Sequence, residues 1–158
     1  MFGKWIPVKW HKDANYKYHL DTKMPKDGER VLVTRNFPTG YSVDDTVYSE
    51  SELPQERFKG FRLSDIVAWM SYPDKSTNIW KPLKVNFMGR FKSNDLKAYY
   101  DYLFLLRDGR VIHDVLEGNK LPSEFVLHKG EVGYSKQDLI GYAEVPAPYT
   151  YIGGIASE

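Results

Sequence analysis

Cysteine is absent from the 158 residues, which excludes a disulfide framework, a thiolate metal site and nucleophilic thiol chemistry. Long apolar runs are absent as well. Nowhere do about 18 uncharged apolar residues follow one another, and the N-terminal Met1-Phe2-Gly3-Lys4-Trp5-Ile6-Pro7 lacks the apolar stretch of a signal peptide. The expectation is a cytoplasmic chain with no membrane segment. Neither G-x-S-x-G nor a glycine-rich phosphate loop occurs; Gly60, Gly118, Gly130 and Gly133 are isolated, and Gly153-Gly154 lies in the tail.

Net charge is small, +1, but unevenly distributed. Residues 1–35 hold eight Lys/Arg against four Asp/Glu, and residues 36–80 hold four against seven. The basic stretch is interleaved with aromatics, so Lys9, Trp10, His11, Tyr16, Lys17 and Tyr18 form the mixture a nucleotide or single-stranded nucleic acid uses for backbone charge and base stacking. A solvated first strand and loop is the plainer reading of the same residues. A dedicated nucleic-acid binder would also be more basic overall.

What is plentiful is aromatic. Twelve Tyr, eight Phe and four Trp make up 15% of the chain, more than a core of this size ordinarily uses, which points to some of them at a binding surface. A strand-rich core favours the same residues. Length and an average apolar fraction of 42% fit one domain, 1–158, with one core.

The clearest local signal is Tyr102 to Val115, two β-rich runs around Asp108-Gly109. A two-residue turn there would set Leu106 opposite Val111, Phe104 opposite His113 and Leu105 opposite Ile112. Ser93-Asn94-Asp95 offers N-cap oxygens before Leu96, Tyr99 and Tyr100, which predicts one short helix ahead of the hairpin.

The two halves share an order of parts. Arg30–Arg35, a turn at Pro38-Thr39-Gly40, Tyr41–Asp44, Leu53-Pro54-Gln55-Glu56 and Asp65–Pro73 are matched by Leu103–Arg107, Asp108-Gly109, Arg110–Asp114, Leu121-Pro122-Ser123-Glu124 and Asp138–Pro146. Each copy, about 24–73 and 96–146 with a linker at 74–80, reads as a hairpin plus a return strand. Neither is large enough to bury its own apolar face. The expected fold class is α+β, mostly antiparallel β, with two related units packed together and one short helix.

In the first half, Trp5-Ile6-Pro7-Val8, then Met24-Pro25-Lys26-Asp27-Gly28-Glu29-Arg30-Val31-Leu32-Val33, then Ile66-Val67-Ala68-Trp69-Met70-Ser71-Tyr72-Pro73 resembles a short phage and prophage domain, domain of unknown function 551. The likeness covers roughly residues 4–73. Residues 9–20 read as an insertion, and Ala68 and Ser71 stand where that family usually has His and Pro. The resemblance implies a phage or mobile-element origin and a small β-rich fold; no activity is established for the family. Small accessory proteins of that origin often bind and inhibit a host factor, including antiviral defence components in the manner of anti-CRISPR proteins.

Candidate chemistry is sparse. His11 and His19 are eight apart in a stretch read as a loop, a spacing that matches no common zinc pattern. His113-Asp114 recurs in metal-dependent phosphohydrolases, but adjacent strand residues point to opposite faces. No metal site, cofactor or catalytic set emerges. The leading expectation is a non-enzymatic binding module that inhibits a host protein, a defence nuclease being one class, through Asp44, Asp45, Glu50 and Glu52 with Trp69, Tyr72 and Tyr142. The plainer reading is that Trp69 and Tyr142 are core residues. A sponge for a nucleotide signal or nucleic acid is the alternative, and a metal-dependent hydrolase using His113 and Asp114 the third. The run Pro146-Ala147-Pro148-Tyr149-Thr150-Tyr151-Ile152 is semi-rigid and would dock on its own domain or on a neighbouring subunit, which allows a homodimer.

Overall fold

A computed structural model describes residues 3–83, 96–97, 100–117, 126–127, 138–152 and 155–157, with the backbone alone at 116–117, 126–127, 151–152 and 155–157. The chain divides into two compact units, residues 3–72 with the C-terminal stretch from 146, and residues 73–145. Both are built from antiparallel strands. Helix among the described residues is limited to two 3-10 turns, Pro54–Glu56 and Leu63–Asp65, and a single 3-10 residue, Asp138, ahead of the strand that starts at Leu139. The helix expected from Ser93 falls largely outside the described residues; Leu96, Lys97 and Tyr100 are not helical.

Unit 1 contains β1 (Ile6–Pro7), β2 (Trp10–Lys12), β3 (Tyr18–Leu20), β4 (Arg30–Phe37), β5 (Gly40–Val47) and β6 (Ile66–Ser71). Its main sheet has the order β1-β6-β4-β5. Strand alternation sends Val31, Val33 and Trp69 to one face, where they pack with Val8, Tyr48, Phe58, Leu63 and Ile66. Leu32, Thr34, Ala68 and Met70 occupy the other face and are equally buried. There Thr34 Oγ1 accepts the amide of Tyr149 at 2.9 Å, and the indole of Trp5 donates to the carbonyl of Ala147 at 2.9 Å. The C-terminal run therefore docks on unit 1. Beyond it, β12 (Thr150–Ile152) pairs with β13 (Ile155–Ser157).

Unit 2 contains β7 (Lys81–Pro82), β8 (Asp101–Leu106), β9 (Val111–Glu117), β10 (Val126–Leu127) and β11 (Leu139–Glu144), in the order β10-β9-β8-β11-β7. Its core gathers Leu83, Leu96, Tyr102, Phe104, Leu106, Ile112, Leu139 and Tyr142.

The hairpin register is one residue away from the expected one. Leu103 faces His113, Phe104 faces Ile112 and Leu105 faces Val111. The loop holds three residues rather than two: the amide of Gly109 donates to the carbonyl of Leu106, and the amide of Leu106 to the carbonyl of Arg110. Gly109 sits at φ +93°, the left-handed position that follows a type I turn in a three-residue hairpin. That extra residue moves every partner by one.

Four strands of the unit 2 sheet follow the order of the unit 1 sheet. The order β1-β6-β4-β5 has its counterpart in β7-β11-β8-β9. Val33 faces Trp69 and Phe104 faces Tyr142; Thr34 faces Ala68 and Leu105 faces Gly141. Both return strands then skip one residue, Val67 in β6 and Ile140 in β11, a bulge at the matched place. The edge strands correspond too: Pro7 faces Ala68 and Pro82 faces Gly141. Proline has no N–H for a ladder, and both prolines lie in strands that close a sheet. The shared motif Trp5-Ile6-Pro7-Val8-Lys9 and Trp80-Lys81-Pro82-Leu83-Lys84 extends the correspondence beyond the expected bounds of 24 and 96. Leu121 to Glu124 and most of the stretch 125–137 lie outside the described residues.

Candidate functional site

Residues 9–20 form a β-hairpin rather than a loop. Trp10 faces Leu20, His11 faces His19 and Lys12 faces Tyr18, so alternation divides the basic-aromatic group between two faces. Trp10, Tyr18 and Leu20 pack against the unit 1 core. The Trp10 and Tyr18 rings lie 5.2 Å apart, with Lys12 Nζ 4.9 Å from the Tyr18 ring centre. On the opposite, solvent face the rings of His11 and His19 stack at 5.0 Å.

Each of these histidines has its own carboxylate. His11 Nδ1 lies 2.7 Å from Asp21 and His19 Nε2 lies 2.8 Å from Asp13. Hydrogen bonding to His19, then to the Lys17 amide, holds the Asp13 carboxyl below its usual value. Tyr16, at the tip, is 82% exposed and has φ +62°; Lys17 is exposed next to it in the chain and Lys9 is exposed at the opposite end of the hairpin, where its carbonyl accepts the Asp21 amide.

The acidic pair on β5 is occupied internally. Asp44 and Asp45 are adjacent strand residues and point to opposite faces. Asp45 takes the guanidinium of Arg30 at 3.1 Å, and Arg30 also donates to the Tyr72 hydroxyl at 3.2 Å and stacks over that ring at 4.2 Å. Asp44 lies 3.4 Å from Arg35, whose guanidinium is flanked by Phe37 and Phe61 at 4.5 and 4.2 Å. Glu50 and Glu52 are exposed in the following loop. Trp69 and Tyr142, expected at matched positions, are matched, and each is buried in the core of its own unit.

In unit 2, His113 and Asp114 are both buried in β9, facing Leu103 and Tyr102 respectively and so on opposite sides of the sheet. His113 Nε2 is 3.5 Å from Asp101, and Asp114 Oδ1 accepts the amide of Val115 at 2.8 Å. Among the described residues, no group of three or more His, Asp and Glu is gathered closely enough to hold a metal ion. Among them too, no helix is long and apolar enough to cross a membrane.

Among the described residues, more of the aromatics are buried than exposed. Trp5, Tyr48, Phe58, Trp69, Tyr102, Phe104, Tyr142 and Tyr149 are all buried; Tyr16, Phe37, Tyr41 and Tyr100 are the exposed ones among the described residues.

What the fold builds instead is an open cavity of about 620 Å³ in unit 1, between residues 23–29 and the end of β6. Trp69 and Ser71 come from the strand; Lys23, Met24, Lys26, Asp27, Gly28 and Glu29 come from the preceding loop. Lys26 to Glu29 is a tight turn closed by the Glu29 amide on the Lys26 carbonyl, with Gly28 at φ +78°, as a type II turn requires of its third residue. The turn is pinned from three sides. The Gly28 amide donates to the Tyr48 carbonyl at 2.7 Å, the Trp69 indole donates to the Lys23 carbonyl at 2.8 Å, and Asp27 accepts the amide of Glu50 at 2.9 Å. Glu29 is fixed twice, accepting the Lys26 amide at 3.1 Å on Oε1 and the Ser71 hydroxyl at 2.8 Å on Oε2.

No family model, curated protein or solved structure matches this chain.

Of the residues singled out from sequence, the cavity brings in Trp69 as a wall and Glu50 through its backbone. Lys23, Lys26, Asp27, Glu29 and Ser71 were not singled out as a site. Their signal was present in Pro25-Lys26-Asp27-Gly28-Glu29, an Asp-Gly turn between charged residues at the mouth of a strand.

Proposed function

We propose that this chain is a non-enzymatic accessory protein of phage or mobile-element origin that binds and inhibits a host protein, with the cavity beside Trp69 as its recognition site. The observation that carries the reading is the double hold on Glu29. Fixing a charged side chain by two hydrogen bonds beside an aromatic wall costs conformational entropy that packing alone does not require, and a preorganised polar group in a concavity is what recognition uses. A volume of about 620 Å³ falls in the range of roughly 300–1,000 Å³ typical of sites that engulf a ligand group or an anchoring side chain. Asp44 and Asp45 are neutralised by Arg35 and Arg30, so recognition moves from the β5 surface to this cavity. A defence nuclease is the class of partner the suspected origin favours.

Affinity capture from bacterial host lysate at several salt concentrations tests this. The intact chain should retain a specific protein, and K23E/K26E, which reverses the rim charge without touching the Lys23 carbonyl or Lys26 amide, should not. Equal capture by both, or none by either, contradicts the proposal.

The exposed Lys9, Lys17 and Tyr16 on the β2–β3 hairpin favour a second reading, a site for a nucleotide signal or single-stranded nucleic acid. Calorimetric titration with short strands and cyclic oligonucleotides tests it; the absence of heat and of any change in Trp fluorescence removes it.

A further inference from the structure

The β2–β3 hairpin is fastened by one face and open on the other. Trp10, Tyr18 and Leu20 pack on the unit 1 core, and the Asp13 amide closes the turn on the Lys17 carbonyl at 2.9 Å. On the free face His11 and His19, eight positions apart in the chain, are direct cross-strand partners. Both side chains are about half exposed, so neither ring is there to fill a core.

The carboxylates place the ring protons. A carboxylate accepts, so His11 Nδ1–H donates to Asp21 at 2.7 Å and His19 Nε2–H donates to Asp13 at 2.8 Å. In the neutral rings the lone pairs are then left on Nε2 of His11 and Nδ1 of His19, nitrogens that no hydrogen bond occupies among the described residues. A carboxylate on one ring nitrogen with the other nitrogen bare is the outer shell of a metal-bound histidine, where it fixes the tautomer and makes the ligating nitrogen more basic. Here that arrangement occurs twice, side by side. Two imidazoles on one ion, at metal–nitrogen bonds of about 2.0–2.1 Å and a near-tetrahedral angle, have ring centres roughly 5 Å apart. The rings of His11 and His19 have theirs at 5.0 Å. Their planes differ by 16°, so turning both lone pairs onto one ion takes rotation about the soft terminal torsion and leaves the backbone in place.

From this arrangement we infer that His11 and His19 chelate a transition-metal ion of the Zn²⁺, Ni²⁺ and Cu²⁺ class through these two nitrogens, with Asp21 and Asp13 orienting the rings. Two donors are fewer than the three or four of most protein zinc sites, so the ion keeps positions open to water or to a donor from a partner. Imidazole suits these metals, whereas Mg²⁺ takes oxygen ligands.

The test uses the intact chain, stripped with a chelator and titrated with Zn²⁺ while long-range proton–nitrogen NMR follows the histidine rings. Saturation is expected at one ion per chain, with Nε2 of His11 and Nδ1 of His19 shifting together and the melting temperature rising. Ni²⁺ should compete and excess Mg²⁺ should not. His11→Ala and His19→Ala should each weaken binding at least about a hundredfold, the gain a second tethered donor confers. Asp21→Asn should weaken it about tenfold. Asp21 is the better choice for that variant because the Asp13 carboxylate also accepts the turn amides of Asn15 and Lys17. The backbone amide spectrum reports whether each variant keeps the hairpin, and Asp21→Asn retains both rings. No saturable response to Zn²⁺, ring signals that shift in two separate events, affinity undiminished in either alanine variant, or an equal response to Mg²⁺ overturns the inference.

Discussion

The amide of Val8 donates to the carbonyl of Val67 across 2.9 Å, and Val67 is the residue that β6 leaves out of its ladder with β4. Unit 2 repeats the arrangement at 3.0 Å between the Leu83 amide and the carbonyl of Ile140, the residue β11 omits. A bulge would otherwise leave a strand carbonyl without its ladder partner. In each unit the residue after the edge-strand proline supplies the missing donor, so the Trp-x-Pro-apolar motif and the bulge explain one another.

Thr34 is fully buried, and its hydroxyl oxygen is the acceptor for Tyr149. Thr34→Val keeps the shape and removes the acceptor, stranding a buried amide. The expected loss is about 1–2 kcal/mol in denaturant unfolding, with faster amide exchange at Tyr149. An unchanged exchange rate there would mean the C-terminal run is held by other contacts.

Trp5→Phe tests the other end of the same attachment. It removes the indole donor to the Ala147 carbonyl while keeping an aromatic ring, and should cost about 1 kcal/mol. Combining it with Thr34→Val should give a non-additive loss, because both hold one segment.

Gly109→Ala should destabilise unit 2 by roughly 1–2 kcal/mol. The cause is backbone conformation at φ +93°, since an added Cβ would meet only the Lys75 side chain at an ordinary 3.6 Å. Gly109→Asn, better tolerated in the left-handed region, should cost less.

Tyr102 and Asp13 make stability depend on pH in opposite directions. Burial pushes the Tyr102 hydroxyl above its ordinary 10.0, opposed by the Lys97 amide it accepts. A raised folded value means stability is complete below the unfolded pKa and is lost as pH rises from about 10 through the folded value; Tyr102→Phe should flatten that alkaline limb. Asp13 is the reverse case, lowered by His19 from 3.8, so its contribution is present above that value and lost as pH falls through the folded one. Carboxyl NMR titration should show Asp13 returning toward 3.8 in His19→Ala.

The β4–β5 and β8–β9 hairpins were legible because β-rich apolar runs flank turn residues at Pro38-Thr39-Gly40 and Asp108-Gly109; the β2–β3 hairpin, with its short mixed strands, was not. Register was not, because Asp-Gly serves two-residue and three-residue loops alike and the difference lies in which residue takes positive φ. The matched Asp-to-Pro spacing marked the return strands, while Trp5-Ile6-Pro7 and Trp80-Lys81-Pro82 went unpaired because two-residue edge strands carry no periodicity. Asp44-Asp45 looked like an exposed acidic surface; their arginine partners come from β4, and cross-strand pairing is not readable along the chain. The cavity was hidden for the same reason, since Ser71 and Glu29 meet 42 positions apart.

The account rests on one four-stranded arrangement occurring twice, bulge included. Through-hydrogen-bond scalar couplings in the isotopically labelled chain test it most directly. They should connect Val8 nitrogen to the Val67 carbonyl carbon and Leu83 nitrogen to the Ile140 carbonyl carbon, with both amides protected from exchange. A coupling at Val8 with none at Leu83, and a Leu83 amide exchanging like an unpaired one, would contradict it.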